Sequence, residues 1–353
     1  MKSRPDTATK QKRIEWIDTA KGICILLVVA NHIFTFYDFA HIYEGSYARM
    51  GDFLSSFRMP LYFFLSGLFF QRYGGLRLFM VKKTNKLLIP FLFFYAVFSV
   101  ALPALIIHSG SSILNLRDTV PAPALPTLLL DFYHNDCQLI NGPLWFLLCL
   151  FEVNMVFFAI TSICHRLRSV CLLSLLAGFS GLALSYGHID LPASADTALT
   201  CVPFFAFGLF TRRKTPILQA SALDHYLLPC ALCGFLFCFA AAGHVEFFRN
   251  MFYGYSWLTV YACGCAGTLS VMFVAKRLGH IPVVSYMGRY SIIILCTHIL
   301  YLKMVVGYVL TRLTPWVGAT VLLLFIIGAE LLTIPFMKRY LPHVTAQKDI
   351  EWG

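Results

Sequence analysis

Six ionisable residues stand inside long apolar runs of this sequence: His32, Arg58, Glu152, His298, Lys303 and Glu330. Ionisable groups at membrane depth are costly and generally face a polar interior, where they pair with one another or mark a ligand path. Counting about 1.5 Å per residue from the ends of each run places His32, Glu152 and His298 near the middle. Arg58 and Lys303 fall in one half and Glu330 in the other. Five of the six therefore lie from the midplane toward the same side, which outlines a polar cavity open on that side. Buried structural pairs, such as Arg58 with Glu152, are the alternative account of any two of them.

The first run is the most informative. It begins Trp16-Ile17-Asp18-Thr19-Ala20-Lys21-Gly22 and continues apolar to Asn31-His32. Lys21 and His32 are eleven residues apart, almost three whole helical turns, so both lie on one helix face with Ile25, Val28 and Thr35. At about 16 Å along the axis the two side chains cannot touch. They suit the two ends of one elongated ligand, an anionic group at the rim and a reacting group at mid-membrane. The plainer account makes Lys21 an interfacial anchor and His32 a packed histidine. Lys82, Lys83 and Lys86, just before Leu87-Leu88-Ile89-Pro90, add a basic loop that binds phosphate as point charges or serves only to orient the chain.

The elements that must carry these residues follow from composition. The chain is 58% hydrophobic and only 13% charged, with 33 Phe and 17 Tyr, where a soluble domain carries about 25% charged residues. That much apolar surface calls for the bilayer as solvent. Spans of about 20 apolar residues read at 20–38, 53–70, 87–107, 143–163, 169–187, 196–211, 226–243, 255–275, 290–310 and 316–337, the sixth being the shortest. The fold class is therefore all-α, a polytopic membrane protein of about ten helices. It forms a single membrane domain over 1–353, with a polar segment at 1–13 and a tail at 338–353, both expected in the cytoplasm.

Charge tests that count. With the amino terminus inside, 22 of the 28 Lys and Arg fall on inner segments. The outer connections hold Arg49, Arg117, Arg249 and Arg312 and are otherwise acidic, as the bias of basic residues toward cytoplasmic loops demands. The net charge of +11 thus reflects topology, and no nucleic-acid partner is expected. Most of the 12 Cys lie within apolar runs, Cys137 standing apart in a polar connection, so they form no disulfide framework. Cys230 and Cys233 make a CxxC without a second ligand pair, and no metal is expected. No small-residue cleavage site follows the first apolar run, so that run is expected to be retained. The longest connection, about 108–142 with Pro121, Pro123 and Pro126, is either an ordered cap over the outer mouth or a flexible loop.

Several segments, in order, resemble the membrane-bound acyltransferase family 3, integral membrane O-acyltransferases that act largely on sugars. Arg13-Ile14-Glu15-Trp16-Ile17-Asp18 with Lys21-Gly22 and His32 is similar to the family opening, a basic residue and a His with ten positions between them. Phe57-Arg58-Met59-Pro60-Leu61-Tyr62-Phe63-Phe64-Leu65-Ser66-Gly67 resembles the second-span signature. Lys83-Thr84-Asn85-Lys86-Leu87-Leu88-Ile89-Pro90 resembles the basic motif that follows. Pro143-Leu144-Trp145-Phe146-Leu147 and Gly288-Arg289-Tyr290-Ser291, leading to His298, resemble later blocks. The likeness runs over about 13–310. Family members often carry His where Arg58 stands, and Arg where this chain has Lys83 and Lys86, which lose the bidentate geometry toward phosphate.

The resemblance implies an acyl-CoA donor, usually acetyl-CoA, entering from the cytoplasm, and a cell-envelope sugar or glycolipid acceptor, in a multi-pass protein of a bacterial inner membrane. Lys21, Lys83 and Lys86 would meet the phosphates of the donor. His32 would serve as general base for the acceptor hydroxyl or as a transient acyl carrier, because a neutral imidazole suits proton transfer near neutral pH. Arg58, Trp145, Glu152 and His298 are candidates for orienting the acceptor or stabilising charge. A secondary transporter or exporter is the competing class, since ten spans with intramembrane charges also fit one; no internal repeat supports it.

Overall fold

A computed structural model describes residues 14–39, 46–102, 125–134, 141–219 and 222–351. Within them the chain is almost wholly helical: α1 (Glu15–Phe39), α2 (Ser46–Leu68), α3 (Leu76–Ala101), α4 (Leu125–His134), α5 (Trp145–Ile163), α6 (Leu167–Tyr186), α7 (Ala195–Lys214), α8 (Leu227–Ala241), α9 (Ser256–Leu278), α10 (Pro282–Arg289), α11 (Ser291–Arg312) and α12 (Pro315–Tyr340). A two-stranded antiparallel hairpin, β1 (Val245–Glu246) with β2 (Met251–Phe252), lies between α8 and α9. Nine of the described helical stretches are long and apolar enough to cross a membrane. The 23-residue α2, about 35 Å long, is not among them; Arg49, Asp52 and Arg58 lower its hydropathy. The chain is a polytopic all-α membrane protein, as its apolar runs predict.

The spans differ in what they face. The central helix is α7, whose apolar window is 72% buried, packed by α2, α5 and α6. The expected short span at 196–211 is thus a full-length helix at the heart of the bundle. At the other extreme the window containing α8 is 17% buried and presents Leu228, Leu232, Leu236 and Phe239 outward. With no water to accept it, such a face belongs against lipid. Arg49 of α2 closes the end of α8 by donating to the carbonyls of Phe239, Ala240 and Ala242, groups that a helix terminus leaves without intrahelical donors.

One end of the bundle gathers the Lys- and Arg-rich helix termini and is called the basic end below. There the start of α1 is seated on α10. Thr19 donates to the Gly279 carbonyl at 2.6 Å and lies 2.8 Å from the Ser285 hydroxyl. A Cβ on Gly22 would run into the Val284 carbonyl, and one on Gly288 into the Asp18 carbonyl. The two backbones therefore meet with only hydrogen between them.

Two local expectations change. Lys82, Lys83 and Lys86 sit not in a loop but inside α3, at and beside a π-helical turn over Thr84–Leu88. Hydropathy marks where lipid begins, and the helix begins earlier, after the Gly74-Gly75 turn. Part of the long connection before α5 is helical: α4 packs on α3 through Phe91 and Phe132, and Tyr95 donates to the Leu128 carbonyl at 3.0 Å. Residues 108–124 and 135–140 of that connection, Cys137 included, and the segment 1–13 lie outside the described residues.

Candidate active site

The main cavity, about 440 Å³, is walled by α1, α2, α5, α11 and the β-hairpin. From α1 it takes Val28, Asn31, His32, Thr35 and Phe36, so one face of this helix supplies the wall, as its spacing predicts. Thr35 donates to the Asn31 carbonyl at 2.9 Å, and Ser55 of α2 reaches the Asn31 side chain at 3.4 Å. This polar strip runs beside His32. Trp145 enters from the start of α5, just after a 3₁₀ turn at Gly142–Leu144, and Asn141 before that turn donates to the Cys296 carbonyl of α11.

Arg58 is the electrostatic centre of the cavity. Its Nε and Nη1 are buried without hydrogen-bond partners, and among the described residues no carboxylate pairs with it. The Cys24 thiol bonds its backbone carbonyl at 3.2 Å, fixing α2 against α1 at this level. A buried cation without a counter-ion is strongly unfavourable, so this guanidinium is held in place at a cost.

His298 stands behind His32. It is fully buried, its ring centre is 5.3 Å from that of His32, and the planes are tilted by 42°. Its Nδ1 lies 2.7 Å from the Ile294 carbonyl and so carries the proton, leaving Nε2 as an unpartnered acceptor. Thr297, its neighbour on α11, touches Glu330 of α12 at 2.7 Å.

The other sequence-derived candidates lie elsewhere. Glu152 is on α5 beside Asp196 of α7 and does not line the cavity, and no ion pair joins it to Arg58. Lys21 lies 5.9 Å from the Phe69 ring and Lys83 5.4 Å from the Phe79 ring, both at the basic end. Lys86 contacts Asp349 at 3.0 Å and the Ala346 carbonyl at 2.8 Å, while Lys82 contacts the other oxygen of Asp349 at 2.9 Å. Asn85 completes this seat, exchanging hydrogen bonds with the backbone of Ile350 at 2.9 and 3.2 Å. The two lysines thus hold one carboxylate of the chain between them.

The cavity mouth was not evident from the sequence. His244 is held by Asp52 at 2.8 Å and Glu246 at 3.3 Å, and Arg249 stands 4.0 Å from Glu246. The hydrogen bond to Asp52, with that to Glu246, pushes the His244 pKa up to about 10, and the same contact holds Glu246 below the usual carboxylate range. The available signal was the cluster of His244, Glu246 and Arg249 in a short connection between apolar runs. A smaller hollow of about 260 Å³ adjoins it, sharing Phe248 and Arg249 and lined also by His134, Asp190 and Asp196.

Comparison with known proteins places this arrangement. Residues 14–334 match the family model described as an acyltransferase domain. Over 73 residues the chain is 40% identical to "Inner membrane protein YcfT" of Escherichia coli (strain K12), a stretch that is 18% of this chain and 20% of that protein. No solved structure matches significantly. The match extends over nearly all of the described bundle, cavity included, and the chain belongs to the acyltransferase-domain family as a multi-pass membrane protein.

Proposed function

We propose that the protein transfers an acyl group, acetyl in the first instance, from acyl-CoA to a sugar hydroxyl, and that the basic end faces the cytoplasm. The orientation rests on the bias of Lys and Arg toward that side. The observation that carries the chemistry is the juxtaposition of an imidazole, His32, with an unpaired buried guanidinium, Arg58, in one cavity.

His32 takes the proton of the acceptor hydroxyl as its oxygen attacks the thioester carbonyl. Arg58 faces the carbonyl oxygen as it gains negative charge; a preorganised cation in a water-poor site is worth most at that moment. The carbon–sulfur bond then breaks, and the imidazolium returns its proton to the leaving thiolate, so an ester and a free thiol result and His32 is neutral again. His298 supports the imidazole from behind, and Trp145 offers a flat face to a sugar ring. At the basic end Lys21, Lys83 and Lys86 attract the donor phosphates as point charges; the Asp349 carboxylate on Lys86 supports that use of the cradle.

His32→Ala tests the assignment. Membranes carrying the variant at wild-type abundance are expected to lose acetyl transfer from acetyl-CoA by about 100- to 10,000-fold, the range of a general base. Transfer within tenfold of wild type would remove His32 from the mechanism.

A further inference from the structure

Among the described residues, the charges in and beside the cavity do not balance. At the mouth, His244 and Arg249 are answered by Asp52 and Glu246, two cations for two carboxylates within 4.0 Å of one another. Two cations remain. Arg58 is deep in the cavity, beside the predicted reacting group. Lys303 is the other: it lines the cavity from α11 and, among the described residues, makes no hydrogen bond or ion pair. Leu295, Ile299 and Lys303 follow one another at intervals of four, so they form one stripe facing the cavity. Lys303 lies five residues, about 7.5 Å, beyond His298 along that helix toward the mouth.

A lysine in a membrane helix with no partner is costly unless it reaches water or meets a ligand. An interfacial anchor would turn its ammonium outward along the lipid face; this one turns into the cavity. Arg58 is accounted for by the oxyanion of the transfer step. That leaves Lys303 on the mouth side of the reacting hydroxyl, with no carboxylate among the described residues to neutralise it.

We infer that the acceptor is an acidic sugar, and that Lys303 forms a subsite for its carboxylate or phosphate. The inference rests on the acyltransferase reading above for the position of the reacting hydroxyl. It makes Lys303 a specificity-determining residue, acting on which glycan is accepted rather than on bond making.

The test uses the full chain purified in detergent and three probes: methyl glucoside, methyl glucuronoside and glucose 6-phosphate. The midpoint of thermal unfolding is followed against probe concentration. At least one acidic probe is expected to stabilise the protein at about tenfold lower concentration than the neutral glucoside, the size of a charge-assisted contact. The glucuronoside and the phosphate arms show which anion is preferred. Raising the salt should narrow the gap. Lys303→Gln should close it and Lys303→Arg should keep it, both variants first being shown to elute as the wild type does. Equal effects of all three probes, no effect of the acidic ones, or a gap that survives in Lys303→Gln overturns the inference. Failure of the acyltransferase reading looks different: acetyl-CoA would then support no transfer to any glycan, whatever the sugar probes do.

Discussion

Arg58 and the Lys82–Lys86 pair are both cationic, and the chain treats them in opposite ways. On the lysines it lays its own carboxylate, Asp349, with the Ala346 carbonyl and a reciprocal Asn85–Ile350 pair beside it. Around Arg58, whose Nε and Nη1 are buried, it places no carboxylate among the described residues. The ordinary expectation is the reverse, since a counter-ion matters most where water is excluded. The contrast sets a surface that the protein closes by itself beside a charge that, in the function proposed above, meets the developing oxyanion.

The sharpest way to break this comparison is Arg58→Met. If the guanidinium is kept for a developing oxyanion, kcat should fall by about 100- to 1,000-fold. The same change removes an uncompensated buried charge, and stability measured by thermal unfolding should rise, by about 1 to 4 kcal/mol. Loss of activity together with loss of stability would instead make Arg58 a structural residue. Asp349→Asn probes the other side. It frees Lys82 and Lys86, so the KM for acetyl-CoA should fall by about two- to fivefold at low salt, the scale of a half-exposed ion pair, and the effect should fade at high salt. A rise in KM would show that Asp349 belongs to the donor site rather than competing with it.

The smallest effect is expected at the mouth, where charges are already matched. Because the folded-state pKa of His244 lies at about 10, above its ordinary value of about 6.5, its protonation stabilises the fold fully below about pH 6.5 and this contribution is lost as pH rises through about 10. Thermal unfolding of wild type and His244→Asn should therefore differ at pH 6 and converge by pH 10.5. A difference that stays constant over that range would remove the charge from the account. With His244 half exposed, solvent screening keeps the effect small.

The sequence already carries much of this. The stripe through Val28, His32 and Thr35 is local, set by 3.6 residues per turn, and the structure places those side chains on the cavity wall. The apolar runs mark their own helices for the same reason. Contacts between distant segments are less legible. His298 meets His32 across 266 residues, and Asp349 meets Lys82 across 267; neither pairing leaves a periodic trace. The hairpin 245–252 has strands of two residues, too short for alternation to show. The spacing that could have marked Lys303 as cavity-facing, four and eight residues from Ile299 and Leu295, is visible only once those two are known to face inward.

The seat of α1 on α10 carries a consequence at a distance. Where Gly22 and Gly288 let two backbones touch, there is no slack for a single added methyl group. His32 rides on the same rigid rod, about 15 Å further along. A carbon added at the basic end would therefore be felt as a misplaced imidazole in the middle of the bundle. Inactivating changes should concentrate not only around the cavity but also at this remote bearing surface, where nothing touches a ligand and the register of the whole first helix is kept.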